Sequence, residues 1–190
     1  MKHQIAVRIK FLATIILICN APYLIAQESR GDYGVQPGDI LAVSVWKEDG
    51  LQADVLVRPD GKFSFPLTGD IIATGRSIDA IRDSVIEQIA EYIPDPVVTV
   101  QLRQILGNKV YVIGKVLRPG EIVMTHDVDV MQALSIAGGT TTFADLDDIK
   151  ILRRSDGALI AISFAYSDVE RGRSLEQNIL LTPGDIVVVP

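Results

Sequence analysis

Apolar and polar positions along the chain switch repeatedly between a period of two and a period of three to four. In Ile40–Trp46, Leu41, Val43 and Val45 share one face, while Ile40, Ala42, Ser44 and Trp46 take the other. Both faces are mostly apolar, which predicts a strand covered on both sides, with core packing accounting for Trp46. Val55–Arg58 and Lys62–Leu67 flank Pro59-Asp60-Gly61. Asp-Gly tolerates positive φ, so this pair predicts a hairpin. Thr68-Gly69-Asp70 turns the chain again. Ile78, Ile81, Val85, Ile89 and Ile93 then recur at helical spacing, and predict one long helix over about 78–93. Ser77 suits its N-cap, Asp79 its positive end, and Pro94-Asp95-Pro96 stops it. A strand over Val97–Leu102 follows.

After a short linker, Gln104–Asn108, the grammar restarts. Lys109–Ile113 and Glu121–Met124 read as strands around a turn at Arg118-Pro119-Gly120. Asp127 or Asp129 caps a second helix, with Met131, Leu134 and Ala137 inward and Gly138-Gly139 ending it. Ile149–Arg153 and Leu159–Phe164 flank a hairpin turn at Ser155-Asp156-Gly157. Ala165–Asn178 is polar, with room for a short helix. Ile179–Leu181 and Ile186–Val189 predict a closing strand pair around Pro183-Gly184-Asp185. The fold class expected is therefore α+β, as two small modules in series, each with about five short strands and one helix. Their expected bounds are 27–107 and 108–190.

Pro-Gly-Asp before an apolar run occurs at both ends of this folded part, at Pro37–Asp39 and Pro183–Asp185. Pro fixes φ, Gly supplies positive φ, and Asp bonds backbone nearby, so both copies read as turns and not as chemistry.

The first 26 residues change the compartment. Lys2, Arg8 and Lys10 precede an apolar run, Phe11–Cys19, and a small residue at Ala26. That layout predicts a secretory signal peptide cleaved after Ala26. The run is short for an uncleaved anchor, which wants about 20 apolar residues. A lipidated Cys19 is disfavoured by Ile18. Removal of this segment leaves 164 residues with 15 Lys and Arg against 24 Asp and Glu, a net charge of −9. No cysteine and one histidine, His126, remain. Such a chain repels nucleic acid and anionic membrane, and has no thiol for disulfides, catalysis or zinc. An exported protein of a bacterial periplasm is expected.

Reactive constellations are scarce. Gly138-Gly139 ends a helix, the wrong polarity for a phosphate loop. His126 lies in Thr125-His126-Asp127, a solvated loop. Asp145, Asp147 and Asp148 lack the Gly and terminal Glu of a calcium loop. Arg153-Arg154 and Arg171–Arg173 could contact an anionic sugar, and could equally be solvated or paired with the surplus acids. Paired carboxylates are not evident, and core packing explains the few aromatics. No catalytic, cofactor-binding or metal residue is assigned, and no enzyme is expected.

The ordered string carries more than its parts. "YGVQPGDILAVSVW", "VRPDGKFSFPLTGDIIATG", a helix and "YIPDPVVTVQL" resemble the polysaccharide export domain of the outer-membrane polysaccharide export family. "KVYVIGKVLRPGEIVM", "DVMQALSIAGGTT", "IKILRR" and "NILLTPGDIVVVP" resemble the soluble ligand-binding β-grasp domain that follows it there. The resemblance spans about Asp32 to Pro190. It implies a homo-oligomeric ring in the periplasm that receives polysaccharide from an inner-membrane polysaccharide copolymerase and passes it towards the outer membrane. Large members add further β-grasp repeats and a C-terminal amphipathic helix. Here six residues follow Gly184, so the expectation is a short form that needs a separate outer-membrane β-barrel protein. The competing expectation is a monomeric periplasmic glycan-binding module.

Overall fold

The computed structural model describes residues 33–155 and 157–190; the signal-peptide reading and Asp156 lie outside them. Ten strands and three short or medium helices follow in order. The strands are β1 (Ile40–Val45), β2 (Gln52–Leu56), β3 (Lys62–Phe65), β4 (Gly69–Ile72) and β5 (Val98–Gln104), with α1 (Ile78–Ile89) before β5. Then come β6 (Lys109–Gly114), β7 (Gly120–Val123), α2 (Val130–Ile136), β8 (Ile149–Ser155), β9 (Ala158–Phe164), α3 (Tyr166–Glu170), a 3-10 turn at Leu175–Gln177, and β10 (Ile186–Val189).

Two separate cores result. The first gathers Leu41, Val43 and Val45 with Phe63, Ile71 and the α1 stripe Ile81, Val85 and Ile89. The helical stripe read from the sequence is thus the buried one, and Ile78 and Ile93 pack at its margins. Ser77 Oγ accepts from the Ala80 N–H at 3.2 Å, as an N-cap should. α1 ends at Ile89, one turn earlier than its apolar period suggests. The second core gathers Val110, Val112, Ile149, Ile151, Val187, Val189 and Phe164 beneath Ala133 and Leu134 of α2. Of the two candidate caps, Asp129 is the one used: it forms a reciprocal capping box with Gln132, at 2.8 and 3.0 Å.

The first module has an antiparallel sheet in the order β2-β1-β5 and a separate ladder, β3-β4. The second has one five-stranded mixed sheet, β7-β6-β10-β8-β9, in which β10 runs parallel to β6. Three sequence expectations change here. The chain does turn at Pro59–Gly61, where Gly61 N–H bonds the Arg58 carbonyl at 2.9 Å and Arg58 N–H the Lys62 carbonyl at 2.8 Å, but no ladder extends from it: β2 pairs with β1, and β3 pairs with β4 around Pro66–Thr68. Ile179–Leu181 is not a strand partner of β10, because β6 and β8 flank that strand on both sides. And β1 is covered on one face only. Ile40, Ala42 and Ser44 are half-buried, and Trp46 is 70% exposed.

Both Pro-Gly-Asp segments form the same turn. Asp39 N–H bonds the Gln36 carbonyl at 3.1 Å and Asp185 N–H the Thr182 carbonyl at 3.0 Å. Proline stands second and glycine third, at φ 100° and 87°, the pattern of a type II turn. Each carboxylate folds back on its own turn, accepting from Gln36 N–H or Thr182 N–H at 2.8 Å. Both are buried, at 0% and 1% exposure. They differ in their remaining partners. Asp39 accepts from the Tyr33 hydroxyl at 2.6 Å and from the Leu106 and Gly107 N–H groups at 2.9 and 2.8 Å. Asp185 receives Arg153 Nε at 3.0 Å and Nη2 at 2.6 Å, plus the Thr182 hydroxyl at 3.1 Å. Burial, then the bond to Asp39, pushes the Tyr33 phenol above its ordinary range, so the donor stays protonated.

The β3-β4 ladder is held from outside by one fork. Arg58 reaches Asp60 at 3.0 Å and Asp70 at 2.8 Å, and Ser64 Oγ donates to Asp70 at 2.7 Å. The hydrogen bonds from Arg58 and then Ser64 hold the Asp70 carboxyl down at about 2.

Two outcomes follow from these contacts. Asp39→Asn puts an amide against backbone N–H donors, and Asp185→Asn leaves Arg153 without its anion. Each should cost about 2–3 kcal/mol in urea unfolding, against under about 0.5 for exposed Asp148→Asn. Equal midpoints for all three would refute the structural role. Second, Asp70 should titrate near 2 by carboxyl-carbon NMR, below an unfolded value of about 3.9. The pair's contribution is thus full above pH ~3.9 and disappears as pH falls through the folded value. Arg58→Gln should return the midpoint towards about 3.9, and a wild-type midpoint already there would exclude the fork in solution.

Candidate functional site

The residues singled out for chemistry do not converge. His126 is exposed, with Thr125 Oγ1 at 3.4 Å from its Nδ1. Asp148 pairs with Lys150 at 2.7 Å. Asp145 caps the Asp147 N–H. Among the described residues, no group of three or more His, Cys, Asp or Glu could hold a metal ion. Arg153, read as either a sugar contact or an acid's partner, is the partner of Asp185, and Arg173 pairs with Asp168 at 2.9 Å. The two buried carboxylates are saturated by donors. No buried side-chain polar atom among the described residues lacks a partner, so no polar group is left poised in a core.

What the fold does present is faces. The outer side of the first sheet is a groove of about 460 Å³. Its floor is β1, where Ala42 and Ser44 have short side chains. Its walls are Gln52 and Asp54 on β2, and Thr99, Gln101 and Arg103 on β5. The register puts these in two cross-strand rows: Gln52, Ser44 and Thr99 in one, Asp54, Ala42 and Gln101 in the next. Asp54 and Arg103 face each other across the floor at 3.8 Å, too far for a strong bond and close enough to cancel charge.

The outer side of the second sheet is different. Alternation sends Val110, Val112, Val187, Ile149 and Ile151 inward, and Tyr111, Ile113, Ile186, Val188 and Leu152 outward. Tyr111, Ile186, Leu152 and Ala161 stand directly opposite one another across four strands. On the helix-covered side of the same module, a second apolar group is exposed around the end of α2: Leu117, Ile136 and Phe143, the last 81% exposed. Sequence reading missed both faces. The signal was present in the outward half of each strand period, but it reads the same whether a neighbouring layer covers it or not. Among the described residues no helix is long and apolar enough to cross a membrane.

Comparison with known proteins gives this architecture a family. The model described as "Polysaccharide biosynthesis/export protein" matches residues 27–103, and an SLBB domain matches 108–189. The chain is 28% identical to the EPS I polysaccharide export outer membrane protein EpsA of Ralstonia nicotianae, over 83% of this chain and 47% of the relative. The corresponding protein of Ralstonia solanacearum is 26% identical over the same shares. The exopolysaccharide production protein ExoF of Rhizobium meliloti is 28% identical over 52% of this chain and 23% of its own length. The chain thus spans about half the length of the EpsA relatives it matches. With two successive α+β modules, each matched in order by its own domain model, the chain belongs to the outer-membrane polysaccharide export family.

Proposed function

We propose that this chain is the periplasmic component of an exopolysaccharide export system, acting as one subunit of a ring that passes polymer towards the outer membrane. The observation that carries the reading is the export domain followed directly by the SLBB domain, in relatives whose names state polysaccharide export. No bond need be made or broken in such a role. The expected partners are the polymer, an inner-membrane polysaccharide copolymerase and a separate outer-membrane β-barrel protein.

The distribution of apolar surface supports self-association of the kind that closes a ring. A ring needs a heterologous contact, in which one patch meets a different patch on the next subunit. The second module has two, on opposite sides of its sheet: the outward row with Ile113 and Leu159, and the group at Leu117, Ile136 and Phe143. Each set carries large apolar side chains exposed in the single chain, Tyr111, Ile113 and Leu159 on one and Leu117, Ile136 and Phe143 on the other, and apolar surface grouped in this way marks a contact. The competing reading, a monomeric glycan-binding module, draws on the polar groove of the first sheet and leaves these patches unused.

Native mass spectrometry and electron microscopy of the purified protein test the choice. The expected result is one discrete species of several copies with a central opening; a monomer at all concentrations, with or without the membrane partners, would exclude the conduit. Ile113→Lys and Phe143→Lys, one on each patch, should each shift the population to smaller species. Both sites are exposed, so their unfolding midpoints should move by no more than about 0.5 kcal/mol. Unchanged assembly in both variants would remove these patches from the interface.

A further inference from the structure

Trp46 is the chain's one tryptophan, and it is 70% exposed. A side chain of that size is ordinarily mostly buried. Its backbone is fixed: the Trp46 N–H bonds the Val97 carbonyl at 2.9 Å, continuing the β1–β5 ladder by one residue. Trp46 is the first residue past β1, in a turn closed by the Glu48 N–H on the Val45 carbonyl at 3.2 Å, and its pairing with Val97 places it beyond the Ser44 row, at the end of the groove and outside its lining. The neighbouring Val97 is exposed as well, so the indole has no protein layer over it there.

The groove has a specific chemical character. It offers two hydroxyls (Ser44, Thr99), two side-chain amides (Gln52, Gln101) and one acid–base pair (Asp54, Arg103). These groups supply donors and acceptors in both cross-strand rows, with no net charge, on a chain whose formal charge is −6. Neighbouring strands lie about 4.8 Å apart, so the β2 and β5 walls stand about 10 Å from each other. That is a channel one extended sugar chain wide. Amides and hydroxyls pair with either sense of a sugar hydroxyl, and an exposed indole is an apolar platform with a wet edge for a pyranose face.

We propose that the outer face of β2-β1-β5, ending at Trp46, is a glycan-binding groove that holds a hydroxyl-rich stretch of the polymer. The inference rests on the polysaccharide-export reading and adds to it the surface that touches the chain. Side-chain hydrogen bonds exposed to water contribute little each, so contact here is weak and reversible, as a passing polymer requires. The charge balance selects hydroxyls over anionic groups, and binding should accordingly be insensitive to salt.

Trp46 also makes the test direct. Fragments of the bacterium's own secreted polysaccharide, cut by mild acid, are titrated into the purified full chain while tryptophan emission is followed. The expected result is a saturable change in emission that persists at high salt. Gln52→Ala/Gln101→Ala should weaken it at least about fivefold, the equivalent of one lost hydrogen bond. Trp46→Ala, followed by calorimetry, should weaken binding similarly with the unfolding midpoint unchanged. No emission change, a change that the double variant leaves intact, or one abolished by salt would overturn the groove. Oligogalacturonate serves as the anionic comparator, and preference for it would also overturn the proposal. A ring without groove binding leaves the conduit standing and refutes this inference; groove binding by a monomer does the reverse.

Discussion

A carboxylate removed from water must find its whole complement of donors in the protein, and this chain meets that demand twice, at the foot of the central strand of each sheet. Asp39 precedes β1, which lies between β2 and β5; Asp185 precedes β10, which lies between β6 and β8. A buried charge with one donor missing costs several kcal/mol. Every donor around these two residues is therefore constrained in position: the turn's own N–H, and for Asp39 a phenol and two distant backbone N–H groups. Strand pairing supplies most of the bonds of each sheet, but the carboxylate determines where the central strand starts.

The two turns also meet the junction between the modules from both sides. Asp39 holds Leu106 and Gly107, and the Pro37 carbonyl packs where a Cβ on residue 107 would lie. Gly184 N–H in the second turn bonds the Lys109 carbonyl at 2.8 Å, and Tyr111 N–H bonds the Asp185 carbonyl at 2.9 Å. Residues 106–111 are thus bonded by one motif upstream and its counterpart downstream. A flexible linker would leave its backbone to water. This one has its N–H and carbonyl groups assigned in advance, so the repeat of Pro-Gly-Asp does more than launch two strands.

Much of this was legible in the residues, and the limits have a physical pattern. Local signals were read correctly: the α1 stripe, the Ser77 cap, the glycine stop after α2, and Pro-Gly-Asp as a turn. Each depends on residues within a few positions of one another. Apart from the early end of α1, the misreadings were non-local. Asp-Gly at 60–61 does turn the chain, with Arg58 and Lys62 bonded across it, yet the ladders go elsewhere, β2 to β1 and β3 to β4. The last strand inserts beside β6, some seventy residues earlier in sequence, and no local signal records that crossover. Arg153, readable as a sugar contact or as an acid's partner, takes the second role, with an acid thirty-two positions away that no local signal singles out. Trp46 was misread for a related reason, since an apolar residue on the outer half of a strand period is buried only if another layer arrives. None of the described residues provides that layer.

The same absence of a covering layer leaves each module with an open sheet face. Both sheets bury one face against helix and loop and leave the other open, so the fold alone does not distinguish them. Composition of the open face does. On the first sheet it is amides, hydroxyls and a cancelled ion pair around short floor residues, a surface that water wets and that polar ligands can exchange with cheaply. On the second it is mainly Tyr111, Ile113, Ile186, Val188 and Leu152, with Lys150 opposite Val188 and Glu121 opposite Tyr111, a largely apolar surface that gains free energy when another apolar surface meets it. A device that must both assemble and let a hydrophilic polymer slip past needs both kinds. In a subunit of the proposed conduit, separate sheets would keep the adhesive surface away from the passage, where a moving chain would otherwise have to compete with subunit contacts.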